Sequence, residues 1–133
     1  MLEITITLCI IAVLTAITMP QAAKLLDRIQ VRGAVMDIAS VFGGARHLAI
    51  ARASPATVEI DTVARILYVS VAADTVRTRD VGSEHGVDLS ASRVRMSYSA
   101  TGVGYGAANL SVVVRRKSAV DTVFVSRLGR VRH

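Results

Sequence analysis

Basic side chains are concentrated in the last third of this 133-residue chain. Residues 91–133 contain eight Lys or Arg and one acid, Asp121, whereas residues 1–90 contain eight basic and nine acidic residues. The formal net charge of +6 therefore comes entirely from the C-terminal third. Clustered guanidinium groups bind phosphate oxygens in pairs and release counterions when they do so. The pattern predicts a surface for a polyanion such as DNA, and a solvated basic face without a partner is the alternative.

The final segment, SRLGRVRH, carries the densest part of this charge. Arg130 and Arg132 alternate onto one side of an extended chain, and Gly129 lets the backbone approach a ligand closely. The chain has only three Tyr, two Phe and no Trp for base stacking, so we expect contacts to the nucleic-acid backbone rather than sequence recognition. The residues predicted to bind DNA are Arg127, Gly129, Arg130, Arg132, Arg115, Arg116 and Lys117.

The residue types needed for catalysis are present but scattered. His47, His85 and His133 show no metal-type spacing. The polar loop at residues 80–86, DVGSEHG, holds an acid, a serine and a histidine, but a nucleophile and its base must converge on a shaped site, so a solvated turn is expected. GVGYG at 102–106 is not followed by a helical pattern and does not predict dinucleotide binding. The sequence predicts no enzyme and no metal or cofactor site.

The first twenty residues, MLEITITLCIIAVLTAITMP, form a nearly continuous apolar run. From Leu2 to Met19 the only ionisable side chains are Glu3 and Cys9, and the apolar residues cover every face of a helix, which favours lipid over a one-sided core. The run is slightly shorter than the roughly 20 residues that span a bilayer. A carboxylate in hydrocarbon costs roughly 2.5 to 3.5 kcal/mol and is by default functional. The alternative is that Met1 is the true start and Glu3 lies among the headgroups.

A cleaved signal peptide is a competing interpretation of this segment. No basic residue precedes the run, and 14–16, Leu-Thr-Ala, is the best available cleavage site. Cleavage there would release a soluble secreted β-domain. Because Lys24 and Arg28 follow the run, the positive-inside tendency would place the domain in the cytoplasm unless a basic segment precedes Met1.

Beyond Pro20 the helical pattern continues. Apolar residues recur at three- and four-residue steps as far as Ala49, with charged residues on much of the other face. Pro55 ends the pattern, since the residue before a proline avoids the helical region. A helix to about Arg52 would be roughly 75 Å long. We predict a transmembrane or filament-core helix over 1–20 and its amphipathic continuation over 21–54.

The hydrophobic period then changes to two. Val58 and Ile60 alternate with polar residues, and residues 93–98 alternate likewise. Six or seven short strands separated by turns predict an antiparallel sheet or small two-sheet sandwich over 55–133, giving an α+β fold. Three fuller apolar runs predict strands covered on both faces: 66–71, 110–114 and 120–125.

The N-terminal stretch resembles that of type IV pilins and pseudopilins, which begins with a Phe-Thr-Leu-Ile-Glu-like sequence, runs on apolar and meets a helix-kinking proline. Glu3 and Pro20 match that Glu and Pro at the family's separation. The resemblance implies a subunit of the bacterial inner membrane, crossing it once with its β-domain in the periplasm or outside, that joins other pilins in a filament. It also implies that the Glu3 carboxylate pairs with the N-terminal amine of a neighbouring subunit.

This alignment places Met1 two residues inside the usual mature start. An upstream basic leader, a Gly and a Phe-Thr pair would then precede the sequence, and a prepilin peptidase would be a further partner if that leader exists.

Two further stretches narrow the resemblance to the H-type minor pseudopilins, the GspH and FimT-like proteins. They are the Ala/Arg-rich passage from helix to strand at 43–61 and the Gly-Arg-x-Arg sequence of Gly129, Arg130, Val131 and Arg132. FimT-like members are associated with DNA uptake through such a tail, whereas GspH-like members lie near the tip of the type II secretion pseudopilus. The sequence leaves both alternatives open.

Overall fold

One helix runs through more than a third of the molecule. The computed structural model describes residues 1–105 and 109–132. Helix α1 spans Leu2–Ala51, 50 residues, with Pro20 in its interior. Residues 1–26 are all exposed, and from Asp27 onwards one face of the helix is buried. The buried apolar side chains of this second half recur at helical spacing: Val31, Ala34, Val35, Ile38, Val41, Phe42, Ala45 and Ala49.

The exposed first part of α1 is apolar enough and long enough to cross a membrane. An 18-residue window of this helix has a mean hydropathy of 2.2, and none of that window is buried against the rest of the chain. This agrees with the anchor predicted from the sequence.

The remainder of the described chain forms two antiparallel sheets. The five-stranded sheet has the order β3-β2-β1-β5-β6 and the four-stranded sheet the order β4-β7-β8-β9. A short helix, α2 (Val81–His85), follows β3. The strands are β1 (Ala56–Asp61), β2 (Ile66–Val71), β3 (Asp74–Asp80), β4 (Asp88–Ala91), β5 (Arg95–Tyr98), β6 (Gly104–Tyr105), β7 (Asn109–Arg116), β8 (Ala119–Ser126) and β9 (Val131–Arg132).

Both sheets bury one face against the second half of α1. In the four-stranded sheet, Leu110 lies opposite Val125 and Val112 opposite Val123, and all four side chains are buried. Alternate residues of β1 and β2 do the same in the five-stranded sheet. The α+β architecture with two antiparallel sheets on a long N-terminal helix is therefore confirmed.

Some expectations about single elements differ from the structure. The apolar run at 120–125 is not covered on both faces, because Val120 and Phe124 point to the outer face and are 52% and 58% exposed. The polar loop at 80–86 is not a turn but contains α2, which Asp80 caps at its N-terminus and Gly86 ends in a left-handed conformation. Strand β3 has no apolar alternation because it lies at a sheet edge and is largely exposed.

Candidate functional site

The seven residues predicted to bind DNA lie at two opposite ends of the four-stranded sheet. Strands β7 and β8 pair continuously from Asn109 opposite Ser126 to Arg116 opposite Ala119. The group at 115–117 is therefore at one end of the hairpin and the group at 127–132 at the other. Eight residues of strand span about 25 Å. The structure does not bring the two groups together.

Contacts with α1 give these two ends an orientation. Near one end, Arg116 Nε lies 2.8 Å from Asp27 Oδ1. Near the other, a Cβ added to Gly129 would lie 3.0 Å from Arg46 Cδ. Asp27 and Arg46 are separated by about 28 Å along the helix. We name the end beside Asp27, which adjoins the exposed apolar part of α1, the proximal pole, and the end beside Arg46 the distal pole.

The Arg116 side chain at the proximal pole forms its hydrogen bonds within the domain. The Asp27 side chain is only 6% exposed, and Arg116 donates from Nε to its carboxylate and from Nη1 to the carbonyl oxygens of His85 and Gly86. Lys117 Nζ lies 3.7 Å from the other Asp27 oxygen. Arg116 thus joins α1, the end of α2 and the β7–β8 hairpin, and its guanidinium is occupied by these contacts.

The distal pole is built on a tight turn between β8 and β9. The Gly129 amide donates to the Ser126 carbonyl oxygen at 2.9 Å, and the Ser126 amide donates to the Arg130 carbonyl oxygen at 2.9 Å. Gly129 has φ +73°, a left-handed conformation that glycine adopts without strain. The Arg127 carbonyl oxygen also accepts from the Gly104 amide of β6, so the turn is tied to the other sheet.

Beside this turn is a groove of about 510 Å³ that we name the distal groove. Phe124 lies opposite Arg132 in the β8–β9 register, and Leu128 is 65% exposed. Exposed apolar side chains and guanidinium groups in the lining of one groove suit an anionic ligand that also carries a flat apolar group. The groove is lined by Ser92, Asn109, Leu110, Ser111, Phe124, Val125, Ser126, Leu128, Arg130 and Arg132.

Glu3 and Pro20 lie in the exposed part of α1. Glu3 is in the first helical turn, where the helix dipole favours a negative charge, and its carboxylate forms no ion pair with any residue that the structure describes. Pro20 has no amide hydrogen, so the Ala16 carbonyl lacks its usual helical donor. The single chain provides no partner for the Glu3 charge within its described part.

A polar cluster that the sequence did not predict lies between α1, β3 and α2. Arg79 Nη2 is 2.8 Å from Asp37 Oδ2 and 2.7 Å from Glu84 Oε2. His85 Nε2 is 2.8 Å from the same Asp37 oxygen, and its Nδ1 is 3.1 Å from Gln30 Oε1. No sequence spacing could reveal this cluster, because its members come from three elements that only the fold brings together.

The cluster contains the donor atoms of a metal site, but Arg79 already balances the negative charge of its carboxylates. Potential ligand atoms of Asp37, Glu84 and His85 lie within 4.8 Å of one another. The Arg79 guanidinium lies between the two carboxylates and supplies the positive charge. Burial acts to raise the pKa of Asp37, but the hydrogen bonds and charges of Arg79 and His85 outweigh it and leave that pKa below its ordinary value. The cluster therefore fastens α2 and β3 onto α1.

The acid, serine and histidine of residues 80–86 do not form a catalytic arrangement. The Asp80 carboxylate accepts from the amide and hydroxyl of Ser83 as a helix cap, which lowers the pKa of Asp80. The His85 ring instead faces Asp37 and Gln30. His47 is exposed on α1, and His133 lies outside the described residues.

Comparison with solved structures gives consistent results, although the sequence matches no protein-family model and no curated protein. The Pseudomonas aeruginosa type IV minor pilin FimU superposes with a TM-score of 0.68 at 13% identity, covering 81% of this chain and 90% of that one. A second crystal form of FimU gives a TM-score of 0.63 at 13% identity, covering 76% and 90%. The minor pseudopilin EpsH from the Vibrio cholerae Type 2 Secretion System gives 0.59 at 11% identity, covering 77% and 94%.

These similarities confirm that the chain has the fold of type IV pilins and pseudopilins, as the resemblance of its N-terminal stretch predicts. The agreement extends over nearly the whole length of the solved structures, so it concerns the β-domain as well as the helix.

Proposed function

We propose that this chain is a minor pilin or pseudopilin subunit, held in a membrane by its N-terminal helix and incorporated through that helix into a type IV pilus or a type II secretion pseudopilus. One observation carries the proposal. The first 26 residues of a chain with the pilin fold are exposed, nearly all uncharged, and tipped by the acid Glu3. It acts as a structural subunit and not as an enzyme.

The exposed helix would be buried in two successive environments. In the membrane, lipid covers its apolar side chains; in a filament, the helices of neighbouring subunits do so. Glu3 could then be matched by the amine of a neighbour, because a buried charge is tolerated when it meets an opposite one. Pro20 leaves a carbonyl free near the end of the apolar segment, which is where helices bend most readily.

The proposal is tested by fractionating cells that assemble the filament. The full chain, detected by a specific antibody, should be found in the membrane and, at low abundance, in sheared and purified filaments. Its absence from filaments of cells that produce it in the membrane would overturn the proposal.

We further propose that the distal groove binds nucleic acid without sequence preference, through contacts to the nucleic-acid backbone and stacking on one exposed ring. The support is the joint lining of one groove by Arg130 and Arg132, with the exposed ring of Phe124 between β7 and β9 as a stacking surface. Arg127 is exposed in the adjoining turn. If the groove has another role, the chain fits a secretion pseudopilin that does not bind DNA.

A salt-dependent titration of the full chain in detergent with duplex and single-stranded DNA tests this second proposal. Arg130→Ala with Arg132→Ala should weaken binding to all sequences alike and reduce the salt slope by about 2. Arg115→Ala with Lys117→Ala removes the same charge from the proximal pole and should leave the slope unchanged. Equal losses from both pairs, or no binding at low salt, would contradict the assignment.

A further inference from the structure

A second group of cations surrounds the proximal pole. Lys24, Arg28 and Arg32 follow one another at four-residue steps on α1 and are all exposed. The β7–β8 hairpin adds Arg115, which is exposed, and Lys117, whose side chain is 71% exposed. We call these five residues the proximal basic cluster: Lys24, Arg28, Arg32, Arg115 and Lys117.

The two parts of this cluster are adjacent in space. Arg28 and Arg32 line a cavity of about 320 Å³ together with Ser118–Asp121 of the hairpin. Lys117 reaches Asp27, one residue before Arg28. The helix and the hairpin therefore present their positive charges at the same end of the domain.

The three cations of the cluster that lie on α1 form a row whose charge is not balanced by ion pairs in the part of the chain that the structure describes. Lys24, Arg28 and Arg32 form no ion pair there. Asp27 adjoins the row, but its carboxylate pairs with Arg116 and Lys117. Asp121 lines the same cavity as Arg28 and Arg32, and its Oδ1 accepts from the Thr122 amide at 2.7 Å. Like charges four residues apart destabilise a helix. An anionic surface beside such a row would relieve this repulsion.

The position of the row identifies that surface. Lys24 lies about 8 Å beyond Met19 along the helix and Arg28 about 14 Å, so both are within one or two screening lengths of a membrane that ends near Met19. Leu25 and Leu26 lie between Lys24 and Arg28, and Ile29 follows Arg28. These three side chains are 59%, 58% and 55% exposed. Apolar and basic side chains interleaved in this way are typical of a helix at a membrane surface.

We propose that the proximal basic cluster binds the surface of an anionic phospholipid bilayer and holds the β-domain against the membrane before the subunit is incorporated. The inference rests on the proposed membrane anchoring. Four to eight basic residues adjoining a membrane helix attract anionic lipids, each contributing in proportion to its closeness to the headgroups.

The chain contains two lysines, Lys24 and Lys117, and both belong to the cluster. The acetylation of these two side chains by an uncharged reagent that reacts with amines can therefore be followed by mass spectrometry on the full chain. The chain is placed at one copy per nanodisc, so that no neighbouring subunit is present. Discs of phosphatidylcholine alone are compared with discs of an equimolar mixture with phosphatidylglycerol.

We expect Lys117 to be acetylated about fivefold more slowly in the anionic discs at low salt, with the difference disappearing at high salt. Arg28→Gln with Arg32→Gln should abolish most of this protection, whereas Arg130→Gln with Arg132→Gln at the distal pole should retain it. Equal rates in both lipids, or protection that survives the Arg28 and Arg32 changes, would overturn the inference and leave a partner subunit as the occupant. A chain that does not insert into the discs at all would overturn the anchoring as well.

Discussion

Asp27 and Arg116 are 89 residues apart in the sequence, and their side chains meet at 2.8 Å at the proximal pole of the domain. Asp27 is the one buried charged residue among those that the structure describes. The pair lies where the helix leaves the domain and enters its exposed apolar part. It therefore ties the β7–β8 hairpin to α1 at the point where the exposed part of the helix begins.

Removal of either partner of this pair should destabilise the domain, but not equally. Arg116→Met leaves a buried carboxylate with only Lys117 at 3.7 Å, and we expect a loss of about 3 kcal/mol in the free energy of unfolding. Asp27→Asn leaves Arg116, which is 30% exposed and can turn towards water, so a loss of about 1 kcal/mol is expected. Chemical denaturation of the full chain in detergent measures both.

Arg95→Met is the matched control, because its pair with Glu59 is exposed at 63% and 51% and should contribute less than about 1 kcal/mol. Equal losses from Arg116→Met and Arg95→Met would show that the Asp27 pair has no special role.

The Asp37 cluster should make the domain sensitive to acid. Because the pKa of Asp37 is lowered in the folded state, its contribution to stability is complete above the unfolded value near 3.8 and disappears as the pH falls through the lower folded pKa. Asp37→Asn should therefore reduce the melting temperature at neutral pH, and the difference from the wild type should vanish in acid. A melting-temperature difference that stayed constant with pH would show that Asp37 contributes by shape and not by charge.

Tyr98 should make the domain sensitive to alkali. Burial raises the pKa of Tyr98 to about 12, although the Arg46 charge acts in the opposite direction. Above pH 10 the unfolded chain releases this proton while the folded chain retains it, so stability falls from about pH 10 to about pH 12. Tyr98→Phe should remove this part of the alkaline loss, as measured by denaturation at a series of pH values.

The same substitution should also stabilise the domain below pH 10. The buried Tyr98 hydroxyl has no hydrogen-bond partner among the described residues, and removal of an unsatisfied buried group is expected to gain about 1 kcal/mol. Destabilisation by Tyr98→Phe at neutral pH would show that the hydroxyl is hydrogen-bonded.

Gly129→Ala should disturb the distal turn selectively. The left-handed φ of +73° disfavours a side chain, and the added Cβ would press on Arg46 Cδ at 3.0 Å, so we expect a loss of about 1 kcal/mol in stability. If the distal groove binds DNA, the binding free energy should decrease by more than the free energy of unfolding does. The reason is that Arg130 follows Gly129 directly in the turn and would be displaced with it. Gly43→Ala, where an added Cβ meets nothing within 4 Å, is the control.

The sequence predicted the features that depend on local pattern. The apolar run to Met19, the helical period to Ala49 and the alternation at Val58 and Ile60 follow directly from side-chain periodicity, and they gave the α+β fold. The separation of 115–117 from 127–132 could not be predicted in this way. Their closeness in sequence suggests one basic surface, whereas the β7–β8 hairpin places them about 25 Å apart.

Long-range pairs were equally inaccessible to sequence reasoning. Nothing in the spacing of Asp27 and Arg116, or of Asp37 and Arg79, marks them as partners. Strand β3 was missed because an edge strand need not alternate. The exposed Phe124 was expected inside, since an apolar run does not reveal which of its faces another element covers.

The most direct test of the central claim is the amount of a Glu3→Ala variant in purified filaments relative to its amount in the membrane. If Glu3 is matched by an amine of the neighbouring subunit, the Glu3→Ala variant should insert into the membrane normally. Its amount in the filament should fall at least about tenfold, because the neighbour's buried amine is left without a partner, at a cost of more than about 1.4 kcal/mol. Glu59→Ala, on the exposed face of β1, should be incorporated normally. Equal incorporation of Glu3→Ala and the wild type would contradict the role assigned to Glu3 in assembly.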